Sequence, residues 1–291
     1  MDYFLSVVMV TVTLLGTAQD GGRPQPGCQR ACCQNLGPTD QRYPVSLGIQ
    51  DTEGGGHLVE ATRFLGQQLA LWKFPPLRSV SITHAHFGHV DGLGLFGKET
   101  MNASSLPLHL SSAMFHLLEE TPAWAVMLDD GVFEEHIFLH QDHVQLGPGL
   151  VLEPINVPHR AELSDMHAFI VRGPRRSLLF LPDHDSWNET LQMHHATTIR
   201  AWLSALEVDI ALIDGTFWSM NELEGRTQSE VPHPPVKETL KRLGTRQPND
   251  PEIHFIHLNH TNPLHDQESD ESREVIGMGW GVAEQGQSFN L

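Results

Sequence analysis

Three histidines lie close together in one short stretch of the chain. His84, His86 and His89 are spaced at i, i+2 and i+5 within residues 83–92. The preceding residues 77–82 alternate in polarity and include β-branched side chains, a pattern that predicts a strand. A loop that follows a strand can direct all three imidazoles at one cation. Neutral imidazole suits zinc, iron, nickel or copper better than magnesium or calcium, so the run predicts a transition-metal site.

Further candidate ligands follow three other apolar segments. A catalytic zinc usually has three protein ligands and one position left for water, whose pKa the metal lowers toward neutrality. His159, Asp183 and His257 each occur where a predicted strand would end. These three residues are therefore candidates to complete the site.

The order of these motifs resembles the metallo-β-lactamase superfamily, whose first motif is HxHxDH. Within that superfamily, the chain is similar to the branch of the pyrroloquinoline quinone biosynthesis protein B (PqqB). Five segments carry this resemblance along nearly the whole chain: LGTAQDGGRPQPGC from residue 15, VPHRAELSD from 157, LPDHDSW from 181, IDGTFW from 213 and HLNHTNP from 257.

The resemblance implies six ligands for one or two active-site metals. They are His84, His86 and His159 for the first metal, His89 and His257 for the second, and Asp183 as a bridge between them. Asp183 would also be the catalytic carboxylate, which orients a metal-bound hydroxide and accepts its proton. Zinc is the expected metal, with manganese or iron as alternatives.

One position departs from the superfamily motif. Gly88 stands where the motif has Asp. The second metal therefore loses its usual carboxylate, and we expect it to be weakly bound, substituted or absent. Asp91 could compensate, but an acid favoured by the dipole at a helix N-terminus is the preferred interpretation.

All three cysteines fall within six residues, which excludes a scattered disulfide framework. The resemblance implies that Cys28, Cys32 and Cys33 hold a structural zinc together with His260. Cys₃His is a standard tetrahedral zinc set, and a loop of about thirty residues without a strand needs such a crosslink. A free or oxidised cysteine cluster is the alternative.

Composition and charge restrict the class of protein. The chain has 291 residues, 40% of them hydrophobic, and nothing divides it into independent units, so one domain over residues 1–291 is expected. The resemblance implies an α/β class with a four-layer αββα sandwich of two similar halves, divided near residue 150. A formal net charge of −18 disfavours nucleic acid as a partner, because polynucleotide binding depends on phosphate neutralisation. Residues 266–274 hold five acids and one Arg and predict a solvated loop.

Strands and helices alternate along the chain, which supports the α/β class. Strands are predicted at residues 7–15, 45–50, 58–61, 80–83, 106–110, 152–157, 168–172, 177–181, 210–213 and 253–258. Helices are predicted at 64–73, 111–119, 188–206 and 236–243. Pro107 restricts its strand to a sheet edge.

The N-terminal segment has two interpretations. Residues 4–15 are nearly continuously apolar, and residues 16–18 are small enough for a signal-peptide cleavage site. The positive charge that precedes a signal peptide is missing, since Asp2 is the only charged residue before Asp20. We therefore predict a first strand and a cytoplasmic protein rather than a secreted one. No other window is long enough to cross a membrane.

The leading functional hypothesis is a metal-dependent hydrolase that acts on a small polar molecule through metal-bound hydroxide. Arg160 is a candidate to bind a substrate carboxylate or phosphate, and Thr216 and Trp218 are candidates to line the pocket. The alternatives are a phosphodiesterase, an oxygen-dependent hydroxylase in quinone cofactor formation, and a non-catalytic metal- or ligand-binding protein. A homodimer is left open.

Overall fold

The computed structural model describes residues 9–160, 162–223 and 231–291. Its strands are β1 (Thr11–Gly16), β2 (Ser46–Gln50), β3 (Gly56–Val59), β4 (Leu77–Ser81), β5 (Leu106–Leu110), β6 (Phe133–Ile137), β7 (Val144–Gly147), β8 (Leu150–Asn156), β9 (His167–Arg172), β10 (Ser177–Leu181), β11 (Ile210–Asp214), β12 (Glu252–Ile256), β13 (Gly281–Val282) and β14 (Ser288–Asn290). Residues 7 and 8 of the predicted first strand lie outside the described residues.

These strands form two seven-stranded sheets. The first has the order β14-β1-β2-β3-β4-β5-β6, and the second has the order β13-β12-β11-β10-β9-β8-β7. The chain passes from one sheet to the other between Ile137 and Val144 and returns for β14, and the division into two similar halves near residue 150 stays a prediction. Because β14 pairs with β1, the two ends of the chain share one sheet.

Helices cover the outer faces of both sheets. They are α1 (Leu65–Leu71), α2 (Phe87–Val90), α3 (Ser112–Glu120), α4 (Pro122–Asp129), α5 (Trp187–Met193), α6 (Ile199–Ala205), α7 (Val236–Leu243) and α8 (Asp270–Gly277). In the part of the chain that the structure describes, no helix is both long and apolar enough to cross a bilayer.

Three apolar layers hold the elements together. On β10, Leu178 and Phe180 point into the layer between the two sheets, whereas Leu179 and Leu181 pack against α5, α6 and α7 on the outside. Successive side chains of a strand point to opposite faces, so a strand buried on both faces has a continuous apolar sequence. A third layer lies between the first sheet and α1, α3 and α4. The layers are therefore helix, sheet, sheet and helix, which confirms the predicted αββα sandwich.

Three local predictions were wrong. β5 is not at an edge, because it pairs with β4 on one side and with β6 on the other. Pro107 lies opposite Glu134 of β6, and the pairing with β4 begins only at the next residue. The helix predicted over residues 188–206 is two helices, separated where His195 has a φ of 52°. Residues 266–274 are not all loop, since Ser269 caps α8 and the acids that follow it occupy a helix N-terminus, where the dipole favours them.

Candidate metal centre

The predicted ligands meet at one edge of the sandwich. Each lies shortly after the carboxyl end of a strand: His84, His86 and His89 after β4, His159 after β8, Asp183 after β10 and His257 after β12. β10, β11 and β12 are parallel, so their carboxyl ends lie on the same side of the sheet. In α/β folds this edge is the usual place for a site, because loops from several strands converge there.

His84, His86 and His159 form the first cluster. One ring nitrogen of each lies within 4.8 Å of the others. The Nε2 of His159 is 3.3 Å from the Nδ1 of His86. Ligand atoms this close together leave room for one cation among them.

The other nitrogen of each imidazole in this cluster has an oxygen partner. The Nδ1–H of His84 donates to Thr83 Oγ1 at 2.9 Å, and the Nδ1–H of His159 donates to Asp185 Oδ1 at 3.0 Å. His86 is joined through Nε2 to Glu162 Oε2 at 3.4 Å. With these protons directed outward, the lone pairs of the remaining nitrogens face one another, as metal ligation requires.

Burial favours the neutral form of two histidines in this cluster. Burial, together with the nearby His89, holds the pKa of His84 well below its ordinary value. Burial also lowers the pKa of His86. Only the neutral imidazole binds a metal, so the environment favours the binding form of both ligands.

His89, His257 and Asp20 form a second cluster. The Oδ1 of Asp20 lies 3.4 Å from His89 Nε2 and 3.7 Å from His257 Nε2. On the far side of its ring, His89 Nδ1 contacts Glu60 Oε1 at 3.1 Å. Burial lowers the pKa of His89, but Glu60, Asp183 and Asp20 outweigh it and raise that pKa well above its ordinary value. A raised pKa means that the His89 ring holds a second proton, and a cation bound at Nε2 would replace it.

Asp183 lies between the two clusters. Its Oδ2 is 3.2 Å from His89 Nε2, and its Oδ1 is 3.7 Å from His159 Nε2 and 3.6 Å from His257 Nδ1. Burial raises the pKa of Asp183, but the surrounding imidazoles, first that of His257, hold the pKa well below its usual range. The carboxylate is therefore charged and faces both clusters, as a bridging ligand must.

The donor set fits metal ions. Four buried ligand atoms have no hydrogen-bond partner among the described residues: His84 Nε2, Asp183 Oδ2, His257 Nε2 and Asp20 Oδ1. Unpaired buried polar atoms are costly unless an ion or water satisfies them. Their convergence at the two clusters is what a pair of cations would explain.

The structure also places ionisable side chains here that were not among the predicted ligands. Asp20 completes the second cluster, Glu60 orients His89, and His233 lies with its Nε2 3.9 Å from Asp183 Oδ1. Glu60 follows β3, and a polar residue after a strand was the signal that could have found it. By contrast, Asp91 lies at the C-terminal end of α2 and pairs with Arg63 at 2.6 Å, so its interpretation as a helix N-terminal acid was wrong.

Two predicted substrate residues lie elsewhere. Thr216 is fully buried, donates from Oγ1 to Asp214 Oδ1 at 2.7 Å and accepts from His257 Nδ1 at 2.8 Å. It therefore orients a predicted ligand instead of facing substrate. Trp218 packs in the apolar core, with the Lys237 ammonium 5.4 Å from its ring. Phe217, between them, lines the cavity beside the site.

The cysteine cluster assembles with the predicted histidine. Cys28, Cys32, Cys33 and His260 place their ligand atoms within 4.8 Å of one another. The Nδ1 of His260 lies 3.5 Å from Cys32 Sγ and 3.3 Å from Cys33 Sγ. Burial raises the pKa of the Cys33 thiol to about 11, so this thiolate needs a cation beside it to form at neutral pH. The set matches a closed zinc site, and its metal remains a prediction.

The histidine clusters and the cysteine cluster border one cavity of about 930 Å³. Asp20, His86 and Gly88 belong to its wall on the side of the histidines, and Cys28 and His260 belong to its wall on the cysteine side. Arg160 lies on the same wall, and its Nε is buried without a hydrogen-bond partner among the described residues. A small molecule in this cavity would meet ligand atoms and guanidinium groups together.

Two sheets between helical layers, with histidines and aspartates gathered at the strand ends, define a metallo-β-lactamase fold. Residues 55–258 match the family described as the beta-lactamase superfamily domain, and the chain belongs to that family. Within the family it resembles PqqB. Coenzyme PQQ synthesis protein B from Xanthomonas campestris pv. campestris (strain B100) is 27% identical in an alignment that covers 96% of this chain and 99% of that protein. The homologue from Methylobacterium sp. (strain 4-46) is 25% identical, with the same coverage.

Solved structures support the fold. Zn²⁺-bound PqqB from Methylobacterium extorquens superposes with a TM-score of 0.76 at 20% identity, covering 97% of this chain and 100% of that chain. A diphosphatase of the PhnP family superposes with a TM-score of 0.69 at 20% identity, covering 97% and 98%. The predicted family and fold class are confirmed, and the individual ligand roles stay predictions.

Proposed function

We propose that this protein is a metal-dependent hydrolase of small anionic substrates, with phosphate esters or anhydrides as the favoured class. The observation that carries the proposal is the pair of three-residue clusters with Asp183 between them at the wall of one cavity. Paired metal sites of this kind recur in phosphatases and nucleases. Zinc is the proposed metal, with manganese or iron as alternatives.

Each group of residues at the metal centre would have a separate role in hydrolysis. Cations bound at the two clusters would lower the pKa of a water molecule and neutralise charge that develops on the substrate. Asp183, which lies between the two clusters, would orient that water and accept its proton on a carboxylate oxygen. Asp185 and Glu60 hold His159 and His89 in the orientation that directs their Nε2 atoms inward.

His233 is placed to supply a proton. Its Nδ1–H donates to Asp214 Oδ2 at 2.7 Å, and its Nε2 faces Asp183. Burial lowers the pKa of His233, but the Asp214 carboxylate outweighs burial and raises it. A protonated Nε2 beside the clusters can protonate the departing oxygen of a substrate.

Arg160 supports an anionic substrate. Its side chain is 30% exposed, and its Nη1 is 3.8 Å from Glu162, too far for a strong ion pair. Arg30 and Arg63 line the same cavity, and Arg63 is paired there with Asp91. In a chain whose net charge is −18, the Arg160 guanidinium at this cavity favours a carboxylate or phosphate as substrate.

The relatives support a second candidate. Proteins named coenzyme PQQ synthesis protein B match over 96% of this chain, which favours a step in the formation of a quinone cofactor. In that case the centre would hold iron and perform oxygen chemistry. The two candidates differ in the metal that activates the protein and in whether oxygen is consumed.

Metal reconstitution tests the proposal. Protein stripped of metal and reloaded with zinc, manganese or iron would be assayed with aryl phosphate esters, a diphosphate and a carboxylic ester, and oxygen uptake would be followed in parallel. We expect hydrolysis of a phosphate substrate with zinc or manganese. Oxygen uptake by the iron form without hydrolysis by any form would overturn the proposal in favour of the second candidate.

Replacement of Arg160 should weaken substrate binding more than turnover. Arg160→Ala should raise KM for the hydrolysed anion about 10- to 100-fold, because hydrogen bonds to charged groups contribute about 1.5–3 kcal/mol each. Arg160→Lys should recover part of the loss, since it keeps the charge without the two-pronged geometry. Arg176→Ala is the matched control, because Arg176 pairs with Glu252 at 2.8 Å and does not line the cavity. Equal KM values in the parent and Arg160→Ala would contradict this role.

A further inference from the structure

We infer that Asp20 is a metal ligand of the second cluster and replaces the carboxylate that the first histidine motif lacks at Gly88. The inference rests on the metal centre of the proposed function and names one of its ligands. It bears on the expectation, drawn from Gly88, that the second cation is weakly bound or absent. It also bears on the alternative of a non-catalytic protein, which the loss of a metal ligand at Gly88 would favour.

The Asp20 carboxylate lies where a ligand of the second cluster is needed. Although 40% of the Asp20 side chain is exposed, its Oδ1 is buried and faces His89 and His257. That oxygen has no hydrogen-bond partner within the described ranges. A carboxylate oxygen directed between two imidazole Nε2 atoms completes a three-ligand set of two nitrogens and one oxygen.

The position of Asp20 leaves no room for a side chain at residue 88. A Cβ added to Gly88 would lie 2.3 Å from Asp20 Oδ1 and 2.4 Å from Asp20 Cα. Real Cβ atoms essentially never approach other heavy atoms so closely, and the Cα cannot move without the backbone of its loop. A side chain at position 88 and the observed position of Asp20 therefore exclude one another. The carboxylate that the motif lacks at Gly88 is thus replaced in space by the carboxylate of Asp20.

Backbone hydrogen bonds fix the loop that carries Asp20. The amide of Gln19 donates to the carbonyl of Leu258 at 2.9 Å, and that of Leu258 donates to Thr17 at 2.9 Å. Leu258 directly follows the ligand His257. The backbone of the loop is thus hydrogen-bonded to the segment that carries another ligand of the same cluster. This pairing holds Asp20 and His257 at a set distance before any metal binds, which reduces the cost of ordering the site.

The number of carboxylates supports the same assignment. Asp20 and Asp183 both face His89, at 3.4 and 3.2 Å, so the second cluster offers two carboxylates to a divalent cation. A cluster of His89 and His257 without Asp20 would offer only the charge of Asp183.

Four variants test the inference by metal content and affinity. Asp20→Ala should lower affinity for the second cation at least about 100-fold while the first histidine cluster and the cysteine cluster keep their metals. Gly88→Asp alone should also lose the second cation, because its side chain displaces the Asp20 loop. The double variant Asp20→Gly/Gly88→Asp should recover only part of the affinity, because the carboxylate returns to the motif position and the clash with the Asp20 side chain is relieved, whereas the 2.4 Å approach to the Cα of residue 20 still requires a shift of the loop. Asp91→Asn, a nearby acid paired with Arg63, is the control and should bind like the parent.

Elemental analysis and competition with a zinc chelator give the readout, and circular dichroism checks the fold of each variant. Asp20→Ala protein that retains the second cation with parental affinity would overturn the inference and leave the proposed hydrolase intact. Gly88→Asp protein that binds the second cation more tightly than the parent would also overturn it. A parent protein that binds no cation at the histidines would overturn both this inference and the proposed function.

Discussion

Asp183→Asn should remove the cations from both histidine clusters and lower kcat/KM for any hydrolysed substrate by about 10³-fold. Asp183 faces His89 with one oxygen and His159 with the other, at 3.2 and 3.7 Å. An amide of the same shape has no negative charge to offset two divalent cations. The stabilisation that a bound metal gives to a transition state is several kcal/mol, and each 1.36 kcal/mol corresponds to a factor of ten in rate.

Metal per chain, measured by elemental analysis, checks this expectation. His84→Ala should lose only the first cation, because His84 belongs to the first cluster. Asp51→Asn is a matched control, since Asp51 is also fully buried but pairs with His57 and Arg78 at 3.3 and 2.8 Å. It should destabilise the protein without changing the metal content. Two cations retained in Asp183→Asn protein would contradict the bridging role.

The sequence predicted those elements whose burial is complete. The strand predicted at residues 177–181 coincides with β10, because both of its faces are covered and its sequence is apolar almost throughout. β6 was not predicted, since four of its five residues are exposed and charged or polar side chains interrupt the pattern. Local periodicity reports burial, so an exposed strand held mainly by its neighbour β5 leaves little trace in the sequence.

The candidate ligands were predictable where they share a motif or follow an apolar strand, as His84, His159 and Asp183 do. The contribution of Asp20 was not, although its segment carried part of the family resemblance. Its carboxylate reaches the second cluster only because the loop after β1 is hydrogen-bonded to the segment after β12. β1 and β12 belong to different sheets, so this contact depends on how the two sheets pack together, which a single sequence does not give.

Thr216 shows a related limit. The sequence places it after β11 at the edge where the ligands gather, which suggested contact with substrate. Its hydroxyl instead turns inward to Asp214 and His257. The position of a residue along a strand can be predicted from the pattern, but the direction of a side chain in the following turn depends on its hydrogen-bond partners.

Cys33→Ser should remove one zinc per chain and destabilise the protein by at least about 4 kcal/mol, the size of effect that loss of a structural metal produces. Cys33 is the most buried of the three thiols, and its Sγ accepts the Gln25 amide at 3.3 Å as well as facing His260. The binding energy of a closed zinc site contributes directly to folding. A loss of this size corresponds to a fall in Tm of about 8 °C or more.

The comparison of His260→Ala with His257→Ala separates the structural metal from the active-site metals. The two histidines lie three residues apart on one segment, but His260 faces the cysteines and His257 faces Asp20 and Thr216. His260→Ala should lose the same zinc as Cys33→Ser and melt at a similarly lowered temperature. His257→Ala should lose an active-site cation and keep the cysteine-bound zinc, because a partly open site contributes less to folding than a closed one. An unchanged Tm in Cys33→Ser and His260→Ala, with zinc content also unchanged, would exclude a structural zinc at this cluster.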